Sequence, residues 1–466
     1  MSPNIIIRDG IIIPMNGSER IIERGFVAIE DSKIVSVGKM NDLDCKENYD
    51  IIINAKGKAV LPGFVNPHTH LATECFRGIV DLFPEIHFTF AIKDFLTDKR
   101  IYDLSLLGCL ELIRFGVTCA GDNYQNSKSV AQAMADSGIR GVVSEQISQA
   151  DLFKGIYPAI YRYQPQEAER QIRENEELIE RWHNAENGRI KCAFGPHAPD
   201  TLTQDVLREI GVKAREYGVG IMTHLAQSKR ELEITLLRHH MTPVEYLEKA
   251  GILGPRTVAA HCIHLLEKDI KILKDSGTYI AHCPNNFIRR GQITPLIKWI
   301  KGGINNISLA SDNILHDPFE IMRFSNYLAF QYVEQVDPTS IHLIPSSYST
   351  LEMATIKAAR ALGLENEVGS LEIGKKADII IIDLRKPHLT PRLDIITNLV
   401  HYAKGNDVET VIINGNIVME NREIKTLDEE EVLISGQKAS EEVWREFHSR
   451  YPQFPEIEAR LKFLHL

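Results

Sequence analysis

Two imidazoles one residue apart, His68 and His70, close the run Leu61-Pro62-Gly63-Phe64-Val65-Asn66-Pro67-His68-Thr69-His70. In a strand, alternate side chains share a face, so both rings point the same way, as two ligands of one metal ion should. Alone, such a pair is as easily chance as a metal site. Its weight comes from downstream, where His224, His261 and Asp312 end other strand-like runs, with His264 and His282 nearby. Four or five imidazole and carboxylate groups at one place suit Zn²⁺, or Fe²⁺, Co²⁺ or Mn²⁺, in a site that keeps one position open for water. Such an ion lowers the pKa of its water to about 7 and yields a hydroxide nucleophile near neutral pH. Asp312, in Leu309-Ala310-Ser311-Asp312-Asn313, is suited both to hold the metal and to accept the water proton, which makes it the candidate general base.

These residues need a frame that brings them together. Strand-like runs alternate with helical stretches from residue 59 to residue 370, the pattern of a parallel βα fold. Candidate strands end near His70, Asp122, Glu145, His197, His224, His261, His282 and Asp312. Eight such strands close a (β/α)8 TIM barrel, whose typical length is ~250 residues and whose active site is built at the C-terminal strand ends. The chain before residue 59 alternates short β-rich runs with turns: Asn4 to Arg8, Ile11 to Pro14, Gly25 to Glu30, Lys33 to Gly38 and Asp50 to Asn54. The same texture returns in Ala377 to Asp383 and Val408 to Val418, so both chain ends are expected to build one small β-sandwich. The expected division is 1–58 and 371–425 in the sandwich, 59–370 in the barrel, and 426–466 as a helical extension. Within that extension Ala439 to Tyr451 reads as an amphipathic helix for packing or oligomer contact.

Composition narrows the function classes. The 466 residues carry 53 Lys plus Arg against 63 Asp plus Glu, a net charge of −10 that repels nucleic acid and anionic membranes in the absence of a local basic patch. The amino terminus, Met1-Ser2-Pro3-Asn4-Ile5, lacks a basic region followed by an apolar stretch, which argues against secretion. Apolar runs such as Ile379 to Ile382 fall far short of the roughly 20 residues that span a bilayer. Seven cysteines without CxxC spacing point to reduced thiols in a cytoplasm. The expected partner is a small-molecule substrate, with no nucleic acid and no membrane; a homo-oligomer stays open.

The motifs resemble those of the amidohydrolase superfamily, in the branch that contains S-adenosylhomocysteine-type deaminases, guanine deaminase and the triazine and chlorohydrolases. The matching segments are Pro62 to Leu71, Phe76-Arg77-Gly78, Gly195-Pro196-His197-Ala198-Pro199, Thr223-His224-Leu225-Ala226, Ala260-His261-Cys262-Ile263-His264, His282-Cys283-Pro284 and Ser311-Asp312, with Gly374-Lys375-Lys376-Ala377-Asp378 leading into the closing sandwich. The resemblance implies a metal held by His68, His70, His224 and Asp312. It implies that His261 contacts the bound water or the substrate and helps move a proton, although in some members this histidine is itself a ligand. His197 resembles a substrate-contacting histidine; His282 and His264 are weaker candidates for contacts around the site. Binuclear members carry a bridging lysine at the end of the fourth strand. Here that strand ends in His197, and Lys191 sits near its start, so one divalent metal is expected, zinc first and iron, cobalt or manganese as alternatives.

Two departures bear on the reaction. The deaminase branch usually has a glutamate three residues after the fifth-strand histidine; here stands Gln227, whose amide donates a hydrogen bond but cannot shuttle a proton. Glu231 and Glu233 follow on the same loop or helix and are candidates to substitute for that glutamate, although they read more readily as surface glutamates. In place of the glutamate and tryptophan that nucleoside deaminases offer to the sugar, this chain has Pro84-Glu85-Ile86-His87-Phe88, where Glu85 and His87 are candidates to line a pocket walled by Phe88 and Phe90. The first departure makes deamination of a purine-like ring less secure, and the second disfavours an adenosine-type substrate. The leading expectation is a mononuclear metal-dependent hydrolase of non-peptide carbon–nitrogen bonds in a small heterocycle, with hydrolytic deamination foremost. The alternative is an amide, urea or carbamate hydrolase or a chlorohydrolase-like ring hydrolase, because Gln227 replaces the deaminase glutamate. A cyclic-amide hydrolase is weakened by the missing lysine, and a non-catalytic scaffold by the full set of ligands.

Overall fold

A computed structural model describes residues 4–43, 49–79, 92–150 and 162–452. The chain enters through five strands of a small sheet: β1 (Ile5–Ile12), β2 (Ile22–Glu30), β3 (Lys33–Lys39), β4 (Ile51–Asn54) and β5 (Lys58–Pro62). The two runs expected over residues 4–14 are one strand, β1, whose register with β2 shifts on either side of Gly10. Only glycine fits there, because a Cβ would lie 2.8 Å from that of Ala55.

Eight barrel strands follow: β6 (Phe64–Thr69), β7 (Val117–Tyr124), β8 (Arg140–Ile147), β9 (Ile190–Pro196), β10 (Gly220–Leu225), β11 (Thr257–His261), β12 (Tyr279–His282) and β13 (Ile307–Leu309). They pair in chain order and in parallel from β6 to β13. The ring closes where the last strand meets the first: Thr69 bridges to Asp312, His70 N donates to Asp312 O at 2.9 Å, and Asp312 N donates to His68 O at 3.0 Å. Strand after strand contributes a small or β-branched residue to the interior, from Val65, Cys119 and Val142 to Ala281 and Ala310. This is the filled core of a (β/α)8 barrel.

The chain then returns to the small sheet through β14 (Ile379–Asp383), β15 (Val408–Ile413), β16 (Asn416–Glu420) and β17 (Glu423–Ile424). The β-rich run Val408 to Val418 is a hairpin: Asn414 and Gly415 both have positive φ, 52° and 77°, as a two-residue turn between twisted strands requires. β14 pairs antiparallel with β5, which joins the two chain ends in one nine-stranded sheet. Ile34 N donates to Lys375 O, and Gly374 N to Ile34 O, so the β3 edge folds back onto the approach to β14. The wrapped sheet encloses Ile5, Ile7, Val27, Ile379, Ile381 and Ile412. Arg140 at the start of β8 and Asp378 before β14 form a buried two-pronged ion pair between barrel and sheet.

The carboxy-terminal helix runs from Glu429 to Arg450, ten residues longer at its amino end than the periodicity suggested. Asp428 caps it, accepting from Glu431 N at 3.1 Å, and three glutamates occupy the first turn, where the helix dipole favours them. Trp444 on this helix donates to Cys75 O at 2.7 Å, which buttresses the segment that follows β6. Among the described residues no helix is long and apolar enough to cross a membrane.

Candidate active site

The carboxyl ends of the barrel strands converge on one cluster. His68 and His70 come from the end of β6, His224 from β10 and His261 from β11, while Asp312 follows β13. His68, His224, His261 and Asp312 each offer a ligand atom within 4.8 Å of all the others, and all four are buried. His70 joins them through Nε2, 3.2 Å from His224 Nε2 and 3.3 Å from Asp312 Oδ1. Two of these residues sit in backbone conformations unusual for a side chain: His261 has φ 80° and Asp312 φ 66°. Strain of this kind persists only where the surroundings hold it, and it concentrates at functional sites.

Hydrogen bonds behind the rings determine which nitrogens face the centre. His70 Nδ1 donates to the carbonyl of Asn123 at 2.8 Å, and His224 Nδ1 donates to that of His197 at 2.8 Å. A neutral imidazole that gives its one proton to a carbonyl presents a bare Nε2. Burial, reinforced by the neighbouring histidines, drives His224 well below its ordinary range, and burial takes His261 down to about 3, so neither is an imidazolium at neutral pH. Burial lowers His68 as well, partly offset by Asp312, and among the described residues neither of its ring nitrogens has a hydrogen-bond partner. Burial opposes ionisation of Asp312, yet the His68 and His70 imidazoles beside it outweigh that and hold its carboxyl well below the usual carboxylate range. Asn286 donates to its other oxygen. Two lone pairs facing each other at 3.2 Å beside a carboxylate repel unless a cation lies between them. The donor set, imidazoles and one carboxylate, is the one that binds Zn²⁺ and its neighbours in the first transition series.

Of the other residues singled out from the sequence, His197 belongs to this group: its ring lies 5.0 Å from that of His224, and its Nδ1 contacts the Thr201 hydroxyl at 3.1 Å. Gln227 lies half-buried on the loop after β10. Glu231 is not on the surface. It is buried, and its two carboxylate oxygens accept from Ala226 N at 2.7 Å and Gln227 N at 2.8 Å, so it shapes the loop that carries Gln227. Glu233 is exposed. His282 lies apart from the cluster: its neighbour Ala281 faces the barrel interior, so the His282 ring points to the helix layer and packs edge-on against Trp299 at 5.3 Å. The expectation that His282 contacts substrate fails for that reason. His264 is half-buried on the loop after β11. Lys191 pairs with Glu367 near the start of β9, at the barrel end opposite the cluster. Glu85 and His87, with Phe88 and Phe90, lie outside the described residues.

Several residues of the site escaped sequence reasoning. Asn123 supplies the carbonyl behind His70, and the Tyr124 ring stands 5.6 Å from that of His70. Lys93 lies 4.9 Å over the Tyr124 ring and donates to Gln146, and burial takes it down to about 8. Glu74, Asn66, Ser311 and His316 form a buried network directly behind Asp312. None of them carries a local signal, because their meaning depends on neighbours supplied by other strands.

The chain matches the model of the Amidohydrolase family over residues 59–418. It is 35% identical over 450 residues to a 5'-deoxyadenosine deaminase of Methanosarcina mazei, covering 94% of this chain and 98% of the relative. It is 36% identical over 442 residues to a 5-methylthioadenosine/S-adenosylhomocysteine deaminase of Moorella thermoacetica, covering 93% and 98%. Among solved structures, an adenosine deaminase from Xanthomonas campestris with bound zinc superposes with a TM-score of 0.84 at 23% identity, over 95% of this chain and 99% of that one.

Proposed function

The chain belongs to the amidohydrolase family, and from that premise we propose that it is a metal-dependent hydrolytic deaminase of an adenosine-type nucleoside altered at its 5′ position. The observation that carries the reading is the pair of Nε2 atoms of His70 and His224 facing each other at 3.2 Å beside Asp312, each ring holding a backbone carbonyl through its Nδ1. The names of the relatives support the 5′-modified adenosine and weigh against the expectations that Gln227 makes deamination of a purine-like ring less secure and that the Pro84 to Phe88 segment disfavours such a substrate.

His68, His70, His224 and Asp312 would hold one divalent ion, zinc most simply. When bound, the ion supplies a hydroxide nucleophile from water near neutral pH. Asp312 takes one proton of the attacking water and delivers it to the ring nitrogen beside the attacked carbon, then passes the second proton, from the added hydroxyl, to the departing amine, which leaves as ammonia while a carbonyl forms on the ring. His261, neutral in its buried setting, donates a hydrogen bond to the oxygen being added and does not act as an acid. Gln227 donates its amide hydrogen to the substrate without delivering a proton. Glu231 does not stand in for the missing glutamate, because its oxygens are committed to the Ala226 and Gln227 backbone. The proton that deamination needs at the ring therefore travels by way of Asp312. His197 contacts the substrate from the neighbouring strand. Gln227 is also the one observation that favours a second reading, hydrolytic displacement of another group from a ring.

The test is ammonia release by zinc-reconstituted protein from 5′-deoxyadenosine, 5′-methylthioadenosine, guanine and an aminotriazine, beside Asp312→Asn. Release from the nucleosides, lowered about 10²- to 10⁴-fold in Asp312→Asn, is expected. Silence on every amino ring, with turnover of a chlorinated ring or a urea, overturns deamination in favour of the second reading.

A further inference from the structure

The barrel seam next to Asp312 is its least paired join. Among the described residues one bridge joins β6 to the segment that follows β13, Thr69 with Asp312, where other neighbouring strands share ladders of up to six pairs. Side chains take over at this seam. Asn66 on β6 grips Ser311 twice, Nδ2 donating to Oγ at 2.7 Å and Oδ1 accepting from Ser311 N at 3.1 Å. Asn285 donates to Ser311 O at 2.8 Å. Ser311 Oγ lies 2.8 Å from His316 Nδ1, and His316 Nε2 lies 2.7 Å from Glu74 Oε1. Arg77 binds the other Glu74 oxygen and also Glu111. The Asn66 amide donates to Ser311, and the His316 ring joins Ser311 to Glu74, with Nε2–H donating to the carboxylate; burial opposes an imidazolium here, yet Glu74 outweighs that and raises His316 above its ordinary range. Asn66, Ser311, His316 and Glu74 are thus joined in one continuous chain of contacts.

A serine, a histidine and a carboxylate in this order have the connectivity of a nucleophilic triad. Here Ser311 and His316 are 0% exposed and Glu74 3%, so no substrate reaches the serine. The network must act on its neighbour in sequence, Asp312. We propose that Glu74 and His316 are positioning residues, which act through Ser311 to lock the seam between the first and last barrel strands and hold Asp312 in its left-handed backbone conformation for metal binding. This rests on the reading of Asp312 as a metal-holding carboxylate. Two features support it. Burying a carboxylate costs more than packing apolar side chains in the same space, so the pair contributes geometry more than stability. The backbone N, the backbone O and the Oγ of Ser311 are each held by a separate side-chain contact, the over-determination that a φ of 66° at the next residue requires.

The experiment measures the zinc dissociation constant by chelator competition, the thermal midpoint of metal-free protein, and kcat and KM separately. The variants are Ser311→Ala and the double Glu74→Met/His316→Leu, which removes the charge together with its partner. Zinc affinity is expected to fall about 10- to 100-fold in both, kcat to fall with KM little changed, and the metal-free midpoint to fall by only about 1–3 °C. Should the double variant fail to fold, Ser311→Ala, which deletes a single oxygen, still decides. Zinc affinity equal to the parent's in either folded variant overturns the proposal, as does a loss confined to metal-free stability. A parent chain that binds no zinc overturns the reading of the site itself, which keeps the two failures distinct.

Discussion

Replacing Arg140 by methionine removes the cation that ties the barrel to the small sheet. Its guanidinium donates to Asp378 from Nε at 2.8 Å and from Nη2 at 2.9 Å, with both side chains 1% exposed. Asp378 in turn accepts from Asn414 N at 2.8 Å, and its carbonyl accepts from Gly63 N at 2.9 Å, where the chain crosses from β5 to β6. In Arg140→Met the carboxylate stays buried without its partner, at a cost of about 3–5 kcal/mol. An unfolding entropy of about 2.1 cal/mol/K per residue over the chain is about 1 kcal/mol/K, so the thermal midpoint should fall by about 3–5 °C. The double variant Arg140→Met/Asp378→Asn keeps an acceptor for Asn414 N without the charge and should unfold about 1–3 °C above the single variant. The assay is thermal unfolding at neutral pH followed by circular dichroism, with zinc affinity measured in parallel and expected unchanged, because Arg140 lies at the start of β8 and the site at the strand ends. A single variant within about 1 °C of the parent, or a double variant below the single one, would refute the reasoning.

Two further outcomes follow from the charges in the barrel. Burial, opposed by the Ser127 and Asn126 backbone donors, pushes Glu145 up to about 7, against about 4.3 in the unfolded chain. The folded protein therefore holds the extra proton between those values, and the stability from this carboxyl, complete below about pH 4.3, is lost as pH rises through about 7; the midpoint of the parent minus that of Glu145→Gln should shrink between pH 5 and pH 8. Zinc at a hundredfold excess over its dissociation constant should add about 2.7 kcal/mol, or about 3 °C on the scale above, and chelation should reverse it; an identical midpoint with and without zinc counts against the cluster as a metal site.

Much of the architecture could be read from local pattern. The two-residue period placed His68 and His70 on one side of β6, and the recurrence of histidine and aspartate at strand ends foretold the converging cluster, since a closed barrel puts the carboxyl ends of its strands at one mouth. The β-rich texture of both chain ends announced one sheet. Local pattern failed where a partner from another element decides. His282 ends a strand as His224 does, yet Ala281 takes the inward direction and turns the ring toward Trp299; the strand's rotation about its own axis belongs to the assembled barrel. Glu231 looks like any glutamate in a charged helix, and only the turn after β10 brings two backbone N–H groups to it.

The amino-acid sequence by itself determined the fold class and the residue types that could hold a metal, because periodicity and ligand chemistry are properties of short segments. The tertiary structure decided which nitrogens are bare, which carboxylates are buried, and how Asp312 is aimed. Those depend on contacts such as Asn123 behind His70, or Glu74 with His316 across 242 positions of chain. Such contacts have no period along the sequence, because each is made only when separate barrel elements come together.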